Sequence, residues 1–271
     1  MTGASRESAA AARDNLAALT DGTSVDTVRL AEELTAVTAL LDSEPGLRRL
    51  LTDPSRPGQD KAALLARLLD GKVGTDTLDL VSGMVRSRWS QSRDLADAAE
   101  QLASLAELIG AERAGQLDEV EDELFRFGRI VAGSTELRSA LTDSAAPAAS
   151  RTALVRRLLG ERAKPATVRL VETLVAHPRG RSLEAGLDTY MRLAAERRDR
   201  VVALVTTAIP LSAAQRERLG ASLARIYGRA VHINADVDPE VLGGVLVQIG
   251  DEIIDGTIAG RLDGARQGLA G

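Results

Sequence analysis

Two histidines, a paired glycine and one serine are the residues of this chain whose types could do chemistry. His177, in AHPRG, and His232, in RAVHINADV, are candidates for metal ligation or proton transfer. They stand 55 residues apart, with no cysteine and no acidic companion at ligand spacing, so each reads as structural and no metal site is expected. Gly243-Gly244 could bring backbone N–H groups close to a phosphate. The pair precedes a strand pattern rather than a helix N-terminus, however, and no GxGxxG or Walker pattern is present. Ser212 has the look of a nucleophile only until Gln215 is noticed three residues on, which makes the two a helix-capping box. No Ser/His/Asp grouping or acidic pair in a recognisable pocket remains. The expectation is a protein with no catalytic residue and no cofactor.

Composition narrows the classes further. The 271 residues are 44% apolar and 27% charged, ordinary for a globular protein, but only 2% aromatic. The core must be built from Leu, Val, Ile and Ala, and few rings are available to stack bases. A net charge of −5 argues against a nucleic-acid binder held by phosphate contacts. The absence of cysteine excludes disulfides and thiolate chemistry and points to an intracellular protein. The N-terminus, MTGASRESAAAARDNL, carries no apolar signal core, and no stretch reaches the ~20 apolar residues of a membrane span. Any membrane contact is expected to be indirect, through a partner.

The elements that must position these residues begin with a repeat. LRRLLTDPSRPGQDKAALLARLL, from Leu47, overlays LRSALTDSAAPAASRTALVRRLL, from Leu137, at an offset of 90 without a gap. From Leu34/Leu124 to Val85/Val175, 16 of 52 aligned positions are identical, which marks a duplicated unit of about 90 residues. A two-residue slip then aligns Arg93 with Arg181. Each unit reads as helices. Leu30, Leu34, Val37 and Leu41 share one helical face, and Leu117, Val120, Leu124, Phe127 and Val131 repeat the stripe. Leu64, Leu65, Leu68 and Leu69 follow, with Gly71 as a C-cap, and Thr75 is expected to cap the next helix, with Leu78, Val81 and Val85. Leu95, Leu102, Leu105 and Ile109 close the first unit. Short connections predict two antiparallel helical bundles. Trp89 ends a helix of the first, as a partly buried anchor or a candidate protein contact.

After Arg200 the period shifts from 3.6 to 2. RVVALVTTA predicts a strand, the Ser212 box starts a helix that Gly228 ends, and RAVHINADV predicts a second strand. Val245–Ile249 and Glu252–Ile254 read as a hairpin around Gly250-Asp251, and Asp255-Gly256 turns into a last helix over 258–269 capped by Thr257. The fold class is mainly α with a small α/β C-terminal domain. Two repeated antiparallel helical bundles are followed by a strand–helix–strand–strand–strand–helix module, with divisions at 1–108, 109–198 and 199–271.

VDPEVLGGVLVQIGDEIIDGTIAGRL closely resembles the C-terminal signature of the delta subunits of bacterial F-type ATP synthases, relatives of the mitochondrial oligomycin-sensitivity-conferring protein. The family pattern is met by Gly243, Gly244, Gly250, Asp251, Asp255, Gly256, Thr257, Gly260, Arg261 and Leu262. The second helical unit is similar to the family's bundle through its LTD turn and Arg181. The departure is length, since the usual member has one bundle. The resemblance implies a non-catalytic subunit of the peripheral stalk at the cytoplasmic face of the cell membrane, with no nucleic-acid partner. It implies that the bundle holds N-terminal helices of the alpha subunits and that the C-terminal module binds the b-type stalk subunit. Leu117, Val120, Leu124, Val171 and Val175 are the expected lining of the helix-binding groove. An RNA-binding adaptor with a C-terminal α/β module is the alternative, against which stand the acidic balance and the lack of a GxxG loop between helices.

Overall fold

The computed structural model describes residues 3–21, 24–198, 201–228, 231–239, 241, 243–249 and 252–256. It divides into two compact units, 1–195 and 196–271. The first unit is helical: α1 (Ala4–Thr20), α2 (Thr27–Ser43), α3 (Pro45–Thr52), α4 (Gly58–Leu69), α5 (Thr75–Arg86), α6 (Ser92–Arg113), α7 (Leu117–Gly133), α8 (Thr135–Thr142), α9 (Ala148–Leu159), α10 (Pro165–Ala176) and α11 (Leu183–Arg198).

The repeat is visible to the residue. The helices α2 to α5 begin and end 90 positions before α7 to α10. Local chemistry sets some of these boundaries in one copy only. Pro45 and Pro165 sit at first helical positions, where a missing N–H is harmless, and Asp26 caps α2 by accepting from Val28 N and Arg29 N. The start of the fifth helix is set from a distance. Glu33 Oε2 accepts from Gly74 N at 2.8 Å and Thr77 Oγ1 at 2.5 Å, and Glu123 Oε2 accepts from Lys164 N at 2.8 Å and Thr167 Oγ1 at 2.6 Å. The expected cap at Thr75 is therefore not the device used: Thr75 is the first helical residue, and a carboxylate of α2 satisfies the backbone just before it.

Two features depart from the pattern of separate bundles. Helix α1, Ala-rich and weakly amphipathic, was not legible as an element; its Ala9, Ala12 and Leu16 face the core. Helix α6 stands both after α5, as α11 stands after α10, and before α7, as α1 stands before α2. It is accordingly buried on most of its circumference, including Leu95, Ala99, Leu102, Ala106, Leu108 and Ile109. Small buried residues recur on it at Ala96, Ala99, Ala103 and Ala106, and α2 comes close enough that a Cβ on Gly110 would lie 2.7 Å from Thr27 Oγ1. One hydrophobic cluster runs from Ala9 to Ala194 through both repeats.

The second unit has β1 (Val201–Thr207), α12 (Ala213–Tyr227), β2 (Val231–Val237), β3 (Val245–Ile249) and β4 (Glu252–Asp255) in a sheet of order β2-β1-β3-β4. Strands β1 and β2 are parallel, which requires a crossover, and α12 supplies it; β1–β3 and β3–β4 are antiparallel. The Ser212/Gln215 capping box is complete, and Gly228 ends α12 at φ 66°. Leu223 of α12 joins Ala203, Val205, Ile233 and Val247 of the sheet in a separate core. The expected last helix over 258–269 lies outside the described residues.

Candidate docking surfaces

The five residues expected to line a helix-binding groove are brought together, but in the core. Leu117, Val120 and Leu124 form the inner face of α7, Val171 and Val175 that of α10, and none is more than 7% exposed. Side chains buried to this degree set the shape of a wall. The apolar residues that do reach the surface of α7 are Phe125 and Ile130, 53% and 59% exposed. Their signal in the sequence was their departure from the stripe: each falls off the face shared by Leu117, Val120, Leu124, Phe127 and Val131. Trp89 is likewise buried, with its indole N–H donated to the Met84 carbonyl at 2.8 Å.

Electrostatics tie the second repeat to α2 and α6. Arg179, in the corner between α10 and α11, has a left-handed backbone with φ 52°, unusual for a residue with a Cβ. Its side chain, 6% exposed, lies 2.6 Å from Asp42 Oδ2, 2.8 Å from Asp97 Oδ1 and 2.7 Å from Glu100 Oε2. Arg181 also pairs with Glu100, and Arg93 donates to the Arg179 carbonyl at 2.7 Å. Burial pushes the Asp97 carboxyl up, against the opposing pull of Arg179 and Arg93. Further along the seam Arg169 grips Glu107 with two hydrogen bonds, of 2.8 and 2.9 Å, while burial pushes Glu107 up. Beside this pair, α2, α6 and α10 enclose a cavity of about 220 Å³ that Tyr190 also lines; burial raises the Tyr190 phenol to about 12.

In the α/β unit, Gly243 and Gly244 have φ 65° and 87°, conformations that explain why both are glycine. Gly256 N donates to the Val245 carbonyl at 2.9 Å, just after Asp255 ends β4; a Cβ on Gly256 would come within 2.9 Å of the same oxygen. Gly250, Asp251, Thr257, Gly260, Arg261 and Leu262 lie outside the described residues. Strand β4 is an edge, and its Ile253 and Ile254 are exposed, the former by 61%. His177 closes α10 with its backbone N–H on the Thr173 carbonyl, and His232 lies in β2. Among the described residues no group of three or more His, Cys, Asp or Glu is placed to hold a metal. No described helix is long and apolar enough to cross a membrane.

A duplicated helical body followed along the chain by a mixed-sheet module defines the class: a mainly helical protein with exposed apolar side chains on α7 and β4 and buried ion pairs between its second repeat and helices α2 and α6. Residues 104–269 match the family described as ATP synthase delta (OSCP) subunit, beginning within α6. The chain is 63% identical to an ATP synthase subunit delta of Streptomyces griseus over 271 residues, all of both chains. It is 60% identical to that of Streptomyces coelicolor, over 100% of this chain and 98% of the relative, and 48% identical to that of Kineococcus radiotolerans, over 99% and 98%. A chain of the Toxoplasma gondii mitochondrial ATP synthase hexamer matches 62% of this chain and 95% of its own length, at 20% identity and TM-score 0.28, too low to carry an argument. The chain belongs to the ATP synthase delta (OSCP) subunit family, a structural component of the peripheral stalk of the membrane-associated ATP synthase. Because these bacterial relatives align end to end, the first repeat is part of them as well.

Proposed function

We propose that this chain is a non-catalytic stator joint, linking the catalytic head of a proton-translocating ATP synthase to its membrane sector so that rotor torque drives ATP synthesis. The observation that carries this reading is the division of a family member into two units, each with its own hydrophobic core. Two independently cored bodies on one chain suit a part that must be held at two ends. A joint under torque needs several shared contacts, since a single micromolar contact supplies only about 8 kcal/mol.

In this proposal the chain works in three parts, 1–108, 109–198 and 199–271, at the cytoplasmic face of the cell membrane. The second repeat holds N-terminal helices of the alpha subunits. Leu117, Val120, Leu124, Val171 and Val175 fix the wall of that site from inside, and exposed residues such as Phe125 make the contact. The first repeat braces the second through α6 and the Arg179 cluster. The α/β unit binds the b-type stalk subunit, with exposed Ile253 and Ile254 on its edge strand available to an apolar helix face.

The test is recovery of synthase subunits on tagged full-length chain. Gly244→Val forces a β-branched residue into a left-handed backbone and is expected to lower recovery of the b-type subunit at least several-fold while alpha is retained. Equal loss of both subunits, or of neither with Gly244→Val folded, would sink the two-ended reading.

A further inference from the structure

The corner after the fifth helix is built differently in the two repeats. In the first, α5 ends at Arg86, and Trp89 turns back to lie 7% exposed, its indole N–H on the Met84 carbonyl. What remains outside Trp89 is an open depression of about 510 Å³ lined by Arg49, Leu50, Thr52, Asp53, Pro54 and Arg56. In the second, α10 ends in register at Ala176, but the residue 90 positions after Trp89 is Arg179. Its left-handed backbone and its pairing with Asp42, Asp97 and Glu100 direct the side chain to α2 and α6. No described aromatic side chain lines the space left behind, a cavity of about 440 Å³ bounded by Leu141, Arg151, Leu174, Val175, Pro178 and Leu183.

Its walls match the corner that holds Trp89. Leu141, Leu174 and Val175 are the counterparts, at an offset of 90, of Leu51, Met84 and Val85, so the Leu174 carbonyl corresponds to the one that accepts the Trp89 indole. Leu141, Leu174 and Val175, each no more than 3% exposed, form the floor of the cavity, and exposed Ser144, Pro178 and Ser182 form its rim. Arg151 is held in place by donating to the carbonyls of Val175 (2.9 Å), Asp143 (2.6 Å) and Ala146 (2.9 Å), and a fixed cation on an apolar wall favours a ring. The volume is in the range of ligand pockets.

We propose that this cavity docks an aromatic side chain, an indole, presented by a partner subunit of the synthase. The second repeat takes from outside the group that the first repeat supplies from its own chain. A ring buried there is the kind of anchor on which a few residues carry most of an interface's binding energy.

Free indole is the probe, titrated into full-length protein with labelled Leu and Val methyl groups. One saturable site is expected, with shifts at Leu141, Leu174, Val175 and Leu183. Ser144→Trp, at an exposed position on the rim, is expected to weaken it at least tenfold without altering the fold. Trp89→Ala is expected to open a second indole site with shifts at Leu51 and Val85. Absence of saturable shifts at the four methyl groups up to millimolar indole, or a second site missing from folded Trp89→Ala, would overturn the assignment. The partner is tested in the assembled synthase, on the strength of the family membership. The chain has no cysteine, so Ser144→Cys gives one thiol. Its alkylation is expected to slow at least tenfold on assembly; equal rates in the free chain and the synthase would overturn docking by a partner.

Discussion

The two repeats of this chain have the same helices and different surroundings. Positions that set helix ends are kept: Glu33 and Glu123 each reach across to the start of the fifth helix, and the prolines before α4 and α9 are shared. Positions at the corners and flanks have diverged. Trp89 faces Arg179 across the alignment, buried Lys61 faces buried Arg151, and α1 flanks one repeat where α6 flanks the other. The lesson is that a duplicated bundle stays a bundle through its shared helix starts and its leucine stripe, while corners, flanks and single buried positions such as Lys61 and Arg151 can differ between the copies.

The largest expected effect concerns what the copies share. Leu34 and Leu124, 90 residues apart, are both fully buried in the cluster that runs through the two repeats. Leu34→Ala and Leu124→Ala are each expected to lower stability by about 3–5 kcal/mol, the range for a leucine cavity. Because the core and α6 are common property, each variant should shift one cooperative denaturation transition followed by helical signal. A separate early transition for one repeat in only one variant would break the picture of a single helical body.

The next effect is smaller and sharpens the comparison. Glu33→Gln is expected to cost about 1–2 kcal/mol, because it weakens charge-assisted acceptance from Gly74 N and Thr77. Burial pushes the Glu33 carboxyl up, but the hydrogen bonds from Thr77, Gly74 and Arg29 outweigh it and hold the group below its ordinary 4.5. A depressed carboxylate contributes stability that is present above the ordinary value and is lost as pH falls through the depressed one. The variant should therefore lie closest to wild type in strong acid and farthest from it near neutrality, in denaturant midpoints measured across the acid range. An unchanged gap across that range would show that the carboxylate charge is immaterial to the contact.

Much of this was legible in the residues. The duplication, the stripe on α2 and α7, the capping box of α12 and all four strands follow from periodicity and spacing, because each is a local pattern repeated. What was not legible is long-range. That Leu117, Val120 and Leu124 are buried in the core depends on which helices cover α7, and no local period records that. Helix α1 was hidden because alanine gives a weak apolar stripe. The dual role of α6 was hidden because matching it to α11 accounts for only one of its two places, and α1, its other counterpart, was not legible. The Arg179 cluster draws Asp42, Asp97 and Glu100 from two helices far from it in sequence, and no local pattern around Arg179 names them.

The smallest expected effect tests the divergence at Lys61. Its counterpart Arg151 spends its donors on three backbone carbonyls. Lys61 occupies the same place, 4% exposed, and burial lowers its pKa below 10.5, with Asp53 only partly opposing. A lysine depressed in the folded state is disfavoured there while protonated. Where the pH lies between the depressed value and 10.5, the unfolded chain holds more protons, so stability rises with pH over that window. Lys61→Met keeps the length and apolar stem and removes the charge, so it should leave stability at pH 7 unchanged or raise it by up to about 1 kcal/mol. The alkaline rise should disappear with it. If Lys61→Met instead lowers stability at neutral pH by more than that amount, the lysine makes contacts as important as those of Arg151, and the two repeats are more alike at this position than their side chains are.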